Sequence, residues 1–160
     1  MSDVFASTGD GAIFSLPQIR HLLRVEFARA QRYGYPLALV LVDFAPVRSA
    51  LGDGEFEGGA ADIVSRLRAL VRTSDYLGRI EGDRLLVLLP HTDAQGGTRL
   101  VERAREAFSV GGDGGARVGP CTGVASLEQG TVLFFDALLE AAEDALAAEL
   151  AGGRAAARVL

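Results

Sequence analysis

The sequence predicts a single α/β domain, on three observations. Apolar residues recur at helical spacing over 16–33, a continuous apolar run follows over 37–42, and two short apolar stretches flank a charged turn within 76–90. A helix leading into a strand buried on both faces, then a strand, turn, strand unit, is the alternation of an α/β chain. With 160 residues, 49% hydrophobic and 23% charged, the chain can bury one sizeable core and is too short for two domains of ordinary size. The expected division is an N-terminal extension over 1–14 and the domain over 15–160.

Composition narrows the partners. A formal net charge of -5 leaves no global basic surface to recruit DNA or RNA, so an anionic ligand must be met by a local group of arginines. Cys121 is the single cysteine, which excludes an internal disulfide, and His21 and His91 are too few for a zinc cluster. The N-terminal segment has neither a basic start nor an apolar core, and no stretch approaches the ~20 apolar residues that span a bilayer. The expected location is cytoplasmic, with no membrane partner.

Taken in order, Ser15-Leu16-Pro17 reads as an N-cap followed by a proline that a first helical turn tolerates. Ile19, Leu22, Leu23, Phe27 and Ala30 carry a helix over 16–33, which Gly34-Tyr35-Pro36 ends. Leu37 to Val42 is a strand buried on both faces, and it ends in Asp43, an acid at a strand mouth and a site candidate. Ile63, Val64, Leu67, Leu70 and Val71 predict a helix over 59–72 that delivers Arg72 to the surface, with Arg66 and Arg68 off the apolar stripe. Tyr76 to Ile80, the turn Glu81-Gly82-Asp83, and Leu85 to Pro90 make the strand, turn, strand unit.

Thr92 and Asp93 offer N-caps for a helix over 93–109 with Leu100, Val101, Ala104 and Phe108 inward. Arg99 and Arg103, four apart, are neighbours on one flank of it. Gly111 to Gly115 lacks flanking apolar residues and reads as a flexible loop. Arg117 to Ala125 reads as a strand, and a last helix over 132–150 places Leu138, Leu139, Ala142 and Leu146 inward.

The order of motifs adds a resemblance. Arg72-Thr73-Ser74-Asp75 is separated by five residues from Glu81-Gly82-Asp83-Arg84-Leu85, and an apolar strand ending in Leu88-Leu89-Pro90 follows. This resembles the GGDEF domain, the bacterial diguanylate cyclase module, whose signature turn is Gly-Gly-Asp/Glu-Glu-Phe. The string from Glu26 to Leu37 is similar to that family's E-x-x-R-A-x-R-Y-G-x-P-L. Cys121-Thr122-Gly123-Val124-Ala125 loosely resembles its T-x-S-I-G-V-A, and Ala142 to Leu150 its A-D-x-A-L-Y-x-A-K. The resemblance covers 16–160 and implies a central, mostly antiparallel five-stranded sheet with helices on both sides.

It also implies two ligand sites. In the family's cyclases, acids at the positions of Asp43 and Asp83 hold the magnesium that bridges the GTP phosphates, so Mg2+ is implied only if GTP binding is retained, and no other cofactor is expected. Those two acids have a plainer reading: Asp43 caps a turn beside Pro46, and Asp83 serves a hairpin. Several letters depart from the family. Glu81 stands at a glycine beside phosphate, Arg84 at an acidic position, Leu85 at an aromatic one and Leu150 at a phosphate-binding lysine, while Arg154 keeps the family's arginine. Leu51 replaces the asparagine that reads guanine, and Asp53, Glu57 and Asp62 each remain candidates for the aspartate that joins it. A pocket built to pair a base edge discriminates steeply once such a partner is missing. No cyclase activity is expected.

The second site is the R-x-x-D motif, which in the family is the product-inhibition site for cyclic di-GMP. There the resemblance assigns Arg72 a fork onto guanine O6 and N7, Asp75 the base's N-H groups, Arg103 a further contact and Arg99 a phosphate. The plainer alternative is that Arg72 complements a helix dipole while Asp75 caps or pairs with Arg79. The expected function is a catalytically inactive receptor that senses cyclic di-GMP and passes the signal to a protein partner. The alternatives are an interaction scaffold that binds no nucleotide, and residual GTP binding or weak cyclase activity. The facing half-sites of the family's cyclases add a homodimer to the implied partners.

Overall fold

Ser15 starts the first helix, α1 (Leu16–Tyr33), with a capping box in which its hydroxyl accepts from the Gln18 N–H and its own N–H donates to Gln18 Oε1 at 2.9 Å. Gly34 ends the helix in the left-handed region, at φ 72°, where a side chain would be disfavoured. The computed structural model describes residues 4–7, 13–128 and 134–160. After α1 come β1 (Leu37–Asp43), α2 (Ala45–Leu51), α3 (Asp53–Gly58), α4 (Ala60–Leu70), β2 (Tyr76–Arg79) and β3 (Arg84–Pro90). They are followed by α5 (Ala94–Ala107), β4 (Val110–Gly111), β5 (Arg117–Val118), β6 (Cys121–Leu127), α6 (Phe135–Leu150) and β7 (Arg158–Val159).

Five strands form one sheet in the order β2-β3-β1-β6-β7, antiparallel except for the β6–β7 pair. Because strand side chains alternate between faces, Leu37, Leu39 and Leu41 of β1 pack with Leu86 and Leu88 against α1 and α6. Ala38, Val40 and Val42 pack with Leu85, Val87 and Leu89 against α4 and α5. Helices cover both faces, which is why β1 is buried at every position and reads as an unbroken apolar run. At Gly123 a Cβ would collide with the Ala142 carbonyl, so the α6 backbone rests directly on β6. This is the mostly antiparallel five-stranded sheet with helices on both sides that the resemblance implies.

Three local expectations need correction. The segment over 45–58 forms two short helices where periodicity assigned none. Its buried anchors, Val47 and Phe56, are too few to set a pattern across helices of 7 and 6 residues. The glycine-rich segment expected to be a flexible loop is the turn of a small antiparallel ribbon, β4–β5. Gly114 and Gly115 take positive φ there, and the Arg117 guanidinium ties the base by donating to the Ser109 carbonyl at 2.7 Å. The strand expected over 117–125 is accordingly broken at Gly119-Pro120, where proline has no N–H to donate, and β6 runs on to Leu127. The fifth strand, β7, has no counterpart in the sequence reading.

The expected start of the last helix at 132 lies outside the described residues. Within the expected N-terminal extension, Val4–Ser7 forms one turn of 3-10 helix, and Phe5 packs edge-on against Phe44 and Phe56 at ring distances of 5.9 and 6.3 Å.

Candidate functional site

α4 stops at Leu70, and the chain turns so that the Asp75 N–H donates to the Arg72 carbonyl at 3.0 Å. The Asp75 carboxylate returns the contact. It accepts the Arg72 N–H at 2.8 Å, and the Arg72 guanidinium approaches it at 3.3 Å (Nη2 to Oδ1) and 3.5 Å (Nε to Oδ2). Asp75 is therefore buried, its side chain 2% exposed against 57% for Arg72. The sequence assigned it to a ligand's base or, in the plainer reading, to a cap or a pair with Arg79. The structure gives it the N–H of its own turn and the Arg72 guanidinium, and buries it. A carboxylate that accepts from its own turn and its own arginine is satisfied without water.

Arg72 reaches further. Its Nη2 donates to the Pro90 carbonyl at 3.0 Å and to Thr92 Oγ1 at 2.6 Å, tying the end of α4 to the β3–α5 junction. A cleft of about 370 Å³ opens there, lined among others by Arg72, Asp75, His91, Asp93, Arg99 and Arg103. The four residues proposed from the sequence thus share one cavity. Asp93 is occupied as the N-cap of α5, accepting the Gly96 N–H at 2.8 Å. Arg99 and Arg103, one turn apart on α5, pair with no carboxylate among the described residues. A cleft with uncommitted guanidinium groups can fork onto phosphate or a purine edge.

The carboxylate pair lies at the other end of β1 and β3. Asp43 faces Arg84 in the strand ladder. Its Oδ2 accepts the Arg84 Nε–H at 2.8 Å, and its Oδ1 accepts the Ala45 N–H at 2.8 Å, so the turn-capping reading of Asp43 holds. Asp83 is forked by Arg48, Nε to Oδ2 at 2.9 Å and Nη2 to Oδ1 at 3.0 Å. Arg48 also holds Asp53 at 3.1 Å and Glu57 at 3.2 Å and lies 4.7 Å over the Phe56 ring. Its hydrogen bond to Asp83 drives its pKa above arginine's ordinary value, so it is a permanent cation.

Sequence reasoning named both acids and missed Arg48 as the partner of Asp83 and Arg84 as that of Asp43. The signal was present: Arg48 is the sole basic residue of 44–65, amid Asp53, Glu55, Glu57 and Asp62. A magnesium ion needs an octahedron of oxygens with free lone pairs. Each oxygen of Asp43 and Asp83 accepts from a protein donor, and two of the partners are guanidinium groups whose positive charge occupies the place of a divalent cation, so this arrangement does not fit the metal. Among the described residues no group of three or more His, Cys, Asp or Glu could hold one.

The remaining positions are also resolved. Asp53 and Glu57 are held by Arg48, whereas Asp62 pairs with Arg66 at 3.7 Å and lines a cleft of about 310 Å³ with Leu51 and Phe108. Leu150 is 40% exposed at the end of α6. Glu149 turns inward instead, accepting from Arg105, from the Thr122 N–H, and from Thr122 Oγ1 at 3.0 Å, an inward network that periodicity gave no hint of. Burial, with the charges of Glu149 and Asp43 added, pushes the Cys121 thiol up. Arg154 lines a separate cleft with Arg105 and Arg117.

Comparison with known proteins places this arrangement. The diguanylate cyclase, GGDEF domain family matches residues 17–155. The chain belongs to the GGDEF family. Diguanylate cyclase DgcP of Pseudomonas aeruginosa is 32% identical to it over 91 residues, which are 55% of this chain and 14% of DgcP. This GGDEF chain thus spans a small part of that relative's length. The active GGEEF domain of a diguanylate cyclase from Vibrio cholerae has a TM-score of 0.76 at 20% identity, covering 92% of this chain and 97% of that one. The GGDEF domain of DgcB from Caulobacter crescentus, in complex with c-di-GMP, has a TM-score of 0.74 at 17% identity, covering 96% and 95%. These solved structures share the fold of a single GGDEF cyclase-like α/β domain. Among the described residues no helix is long and apolar enough to cross a membrane.

Proposed function

We propose that this GGDEF domain is a receptor for cyclic di-GMP that does not synthesise it, with the ligand in the cleft of Arg72, Asp75, Arg99 and Arg103. The observation that carries the reading is a contrast in where the arginines go. At the Asp43 and Asp83 end, Arg84 and Arg48 are bonded to the domain's own carboxylates. At the Arg72 end, Arg72 is likewise tied to Asp75, but Arg99 and Arg103 pair with no carboxylate among the described residues and line an open cleft. Cyclisation of GTP requires metal and cations on the phosphates as charge develops, with both substrates held in line. Glu81 adds negative charge beside that end, and Leu51 offers no partner to a guanine edge. Occupancy of the Arg72 cleft is passed on to a protein partner, through one domain or a homodimer.

Calorimetric titration of the chain with cyclic di-GMP tests the reading directly. Saturable binding that Arg72→Ala weakens is the expected result. A ligand at a hundred times its Kd stabilises the native state by ~2.7 kcal/mol, so the thermal midpoint should rise as well. No heat and an unchanged midpoint would leave the interaction scaffold as the better account.

A further inference from the structure

Among the described residues, His91 is the one non-glycine residue with positive φ, at 58°. It sits between two residues that Arg72 holds, since Arg72 Nη2 bonds the Pro90 carbonyl and the Thr92 hydroxyl. The His91 ring stacks on Tyr35 with centroids 3.8 Å apart and planes 20° from parallel. Tyr35 is itself anchored, its hydroxyl donating to Glu26 Oε2 at 3.1 Å. His91 lines the Arg72 cleft, and Tyr35 is not among its lining residues. Its ring nitrogens have no hydrogen bond among the described residues, and the residue is exposed.

A left-handed backbone is unfavourable for a side-chain-bearing residue and persists only where its surroundings impose it. Here it lifts an otherwise uncommitted ring onto a second ring, at the lip of a cleft whose arginine suits a purine edge. Edge and face are different demands. A guanidinium fork reads the edge of guanine, whereas the face of a base is met by an aromatic plane. We propose that His91, backed by Tyr35, is a base-stacking residue of this cleft and sets its preference for a purine-containing ligand. The proposal rests on the cyclic di-GMP reading of the cleft above.

The test is calorimetric titration of cyclic di-GMP into the wild-type chain and three variants. Asparagine tolerates the left-handed region, so His91→Asn removes the ring and keeps the turn. His91→Phe keeps a ring and removes the imidazole nitrogens. The expected results are an affinity about ten-fold lower for His91→Asn and within about three-fold of wild type for His91→Phe. Arg72→Ala supplies the reference for the cleft itself. If Arg72→Ala weakens binding while His91→Asn stays within about two-fold of wild type, the stacking role is refuted and the receptor reading stands. If His91→Phe loses as much as His91→Asn, the imidazole acts through its nitrogens and stacking is again refuted. If the wild-type chain binds no cyclic di-GMP, both readings fall together.

Discussion

Arg84 lies directly opposite Asp43 across the β1–β3 ladder and donates its Nε–H to Asp43 Oδ2 at 2.8 Å. The Asp43 side chain is 7% exposed and that of Arg84 38%, so removing the cation strands a nearly buried carboxylate. Arg84→Ala should destabilise the fold by ~1 to 3 kcal/mol, the cost of a buried group left short of a partner. Asp43→Asn in the same chain should recover much of that loss. Chemical denaturation of the two variants checks both expectations, and an unchanged midpoint for Arg84→Ala would contradict them.

The two arginines stand where a metal would compete. Replacing Arg48 and Arg84 together by alanine uncovers the carboxylates of Asp43 and Asp83 at adjoining strand ends, linked by the Phe44 N–H to Asp83 carbonyl bond of 2.9 Å. Millimolar Mg2+ or Mn2+ should then raise the thermal midpoint of the double variant and leave the wild type unmoved. A wild-type midpoint that rises with either ion would show that the guanidinium groups do not close the site.

Incubated with GTP and either ion, the wild-type chain should yield no cyclic di-GMP. Chromatography of the reaction mixture is sufficient. Steady product that disappears on Asp83→Ala would overturn the receptor-only reading.

In the Arg72 cleft the motif's two members should behave differently. Arg72→Ala removes a forked contact and should weaken cyclic di-GMP by ~1 to 3 kcal/mol. Asp75 is buried and accepts the Arg72 N–H and guanidinium, so Asp75→Asn should lower the thermal midpoint as well as the affinity. Arg103→Ala should matter only if the ligand bridges to α5. Melting curves beside each titration separate the cases, and an Asp75→Asn variant that melts like wild type would return that carboxylate to a direct ligand role.

Alkaline stability provides an independent check on the α1 side. Burial first, then the charge and hydrogen bond of Glu26, hold the Tyr35 and Tyr76 phenols above their ordinary value. Unfolded tyrosines ionise near pH ~10, and the folded ones resist to higher pH. Their contribution is therefore fully present below pH ~10 and is lost as pH rises through the folded values. Thermal midpoints should hold steady from about pH 8 and fall above about pH 10, with a shallower fall in Tyr35→Phe/Tyr76→Phe. An identical fall in the double variant would place the alkaline sensitivity elsewhere.

Much of the architecture could be read from residue order because the interactions that specify it are local. Ser15, Gln18 and Gly34 bound α1 within a turn of themselves, the unbroken apolar run of β1 announces burial on both faces, and Glu81-Gly82-Asp83 marks its own hairpin. The short α2 and α3, the β4–β5 ribbon and β7 were not legible. Each rests on a few contacts particular to its place rather than on a repeating pattern, as the Arg48 guanidinium of α2 shows on Asp83 and the Leu160 N–H on the Ser126 carbonyl.

The site divides the same way. Sequence spacing by itself determined which residues could act: Arg72 and Asp75 at a helix end, Arg99 and Arg103 one turn apart, Asp43 and Asp83 at strand mouths. Tertiary structure alone decided their partners. Arg48 reaches Asp83 across 35 positions and Arg84 reaches Asp43 across 41, while Tyr35, just before β1, meets His91, just after β3. A hydrogen-bonded ion pair forms only where donor and acceptor meet in space, and chain separation carries no information about that distance until the sheet has brought β1 and β3 together.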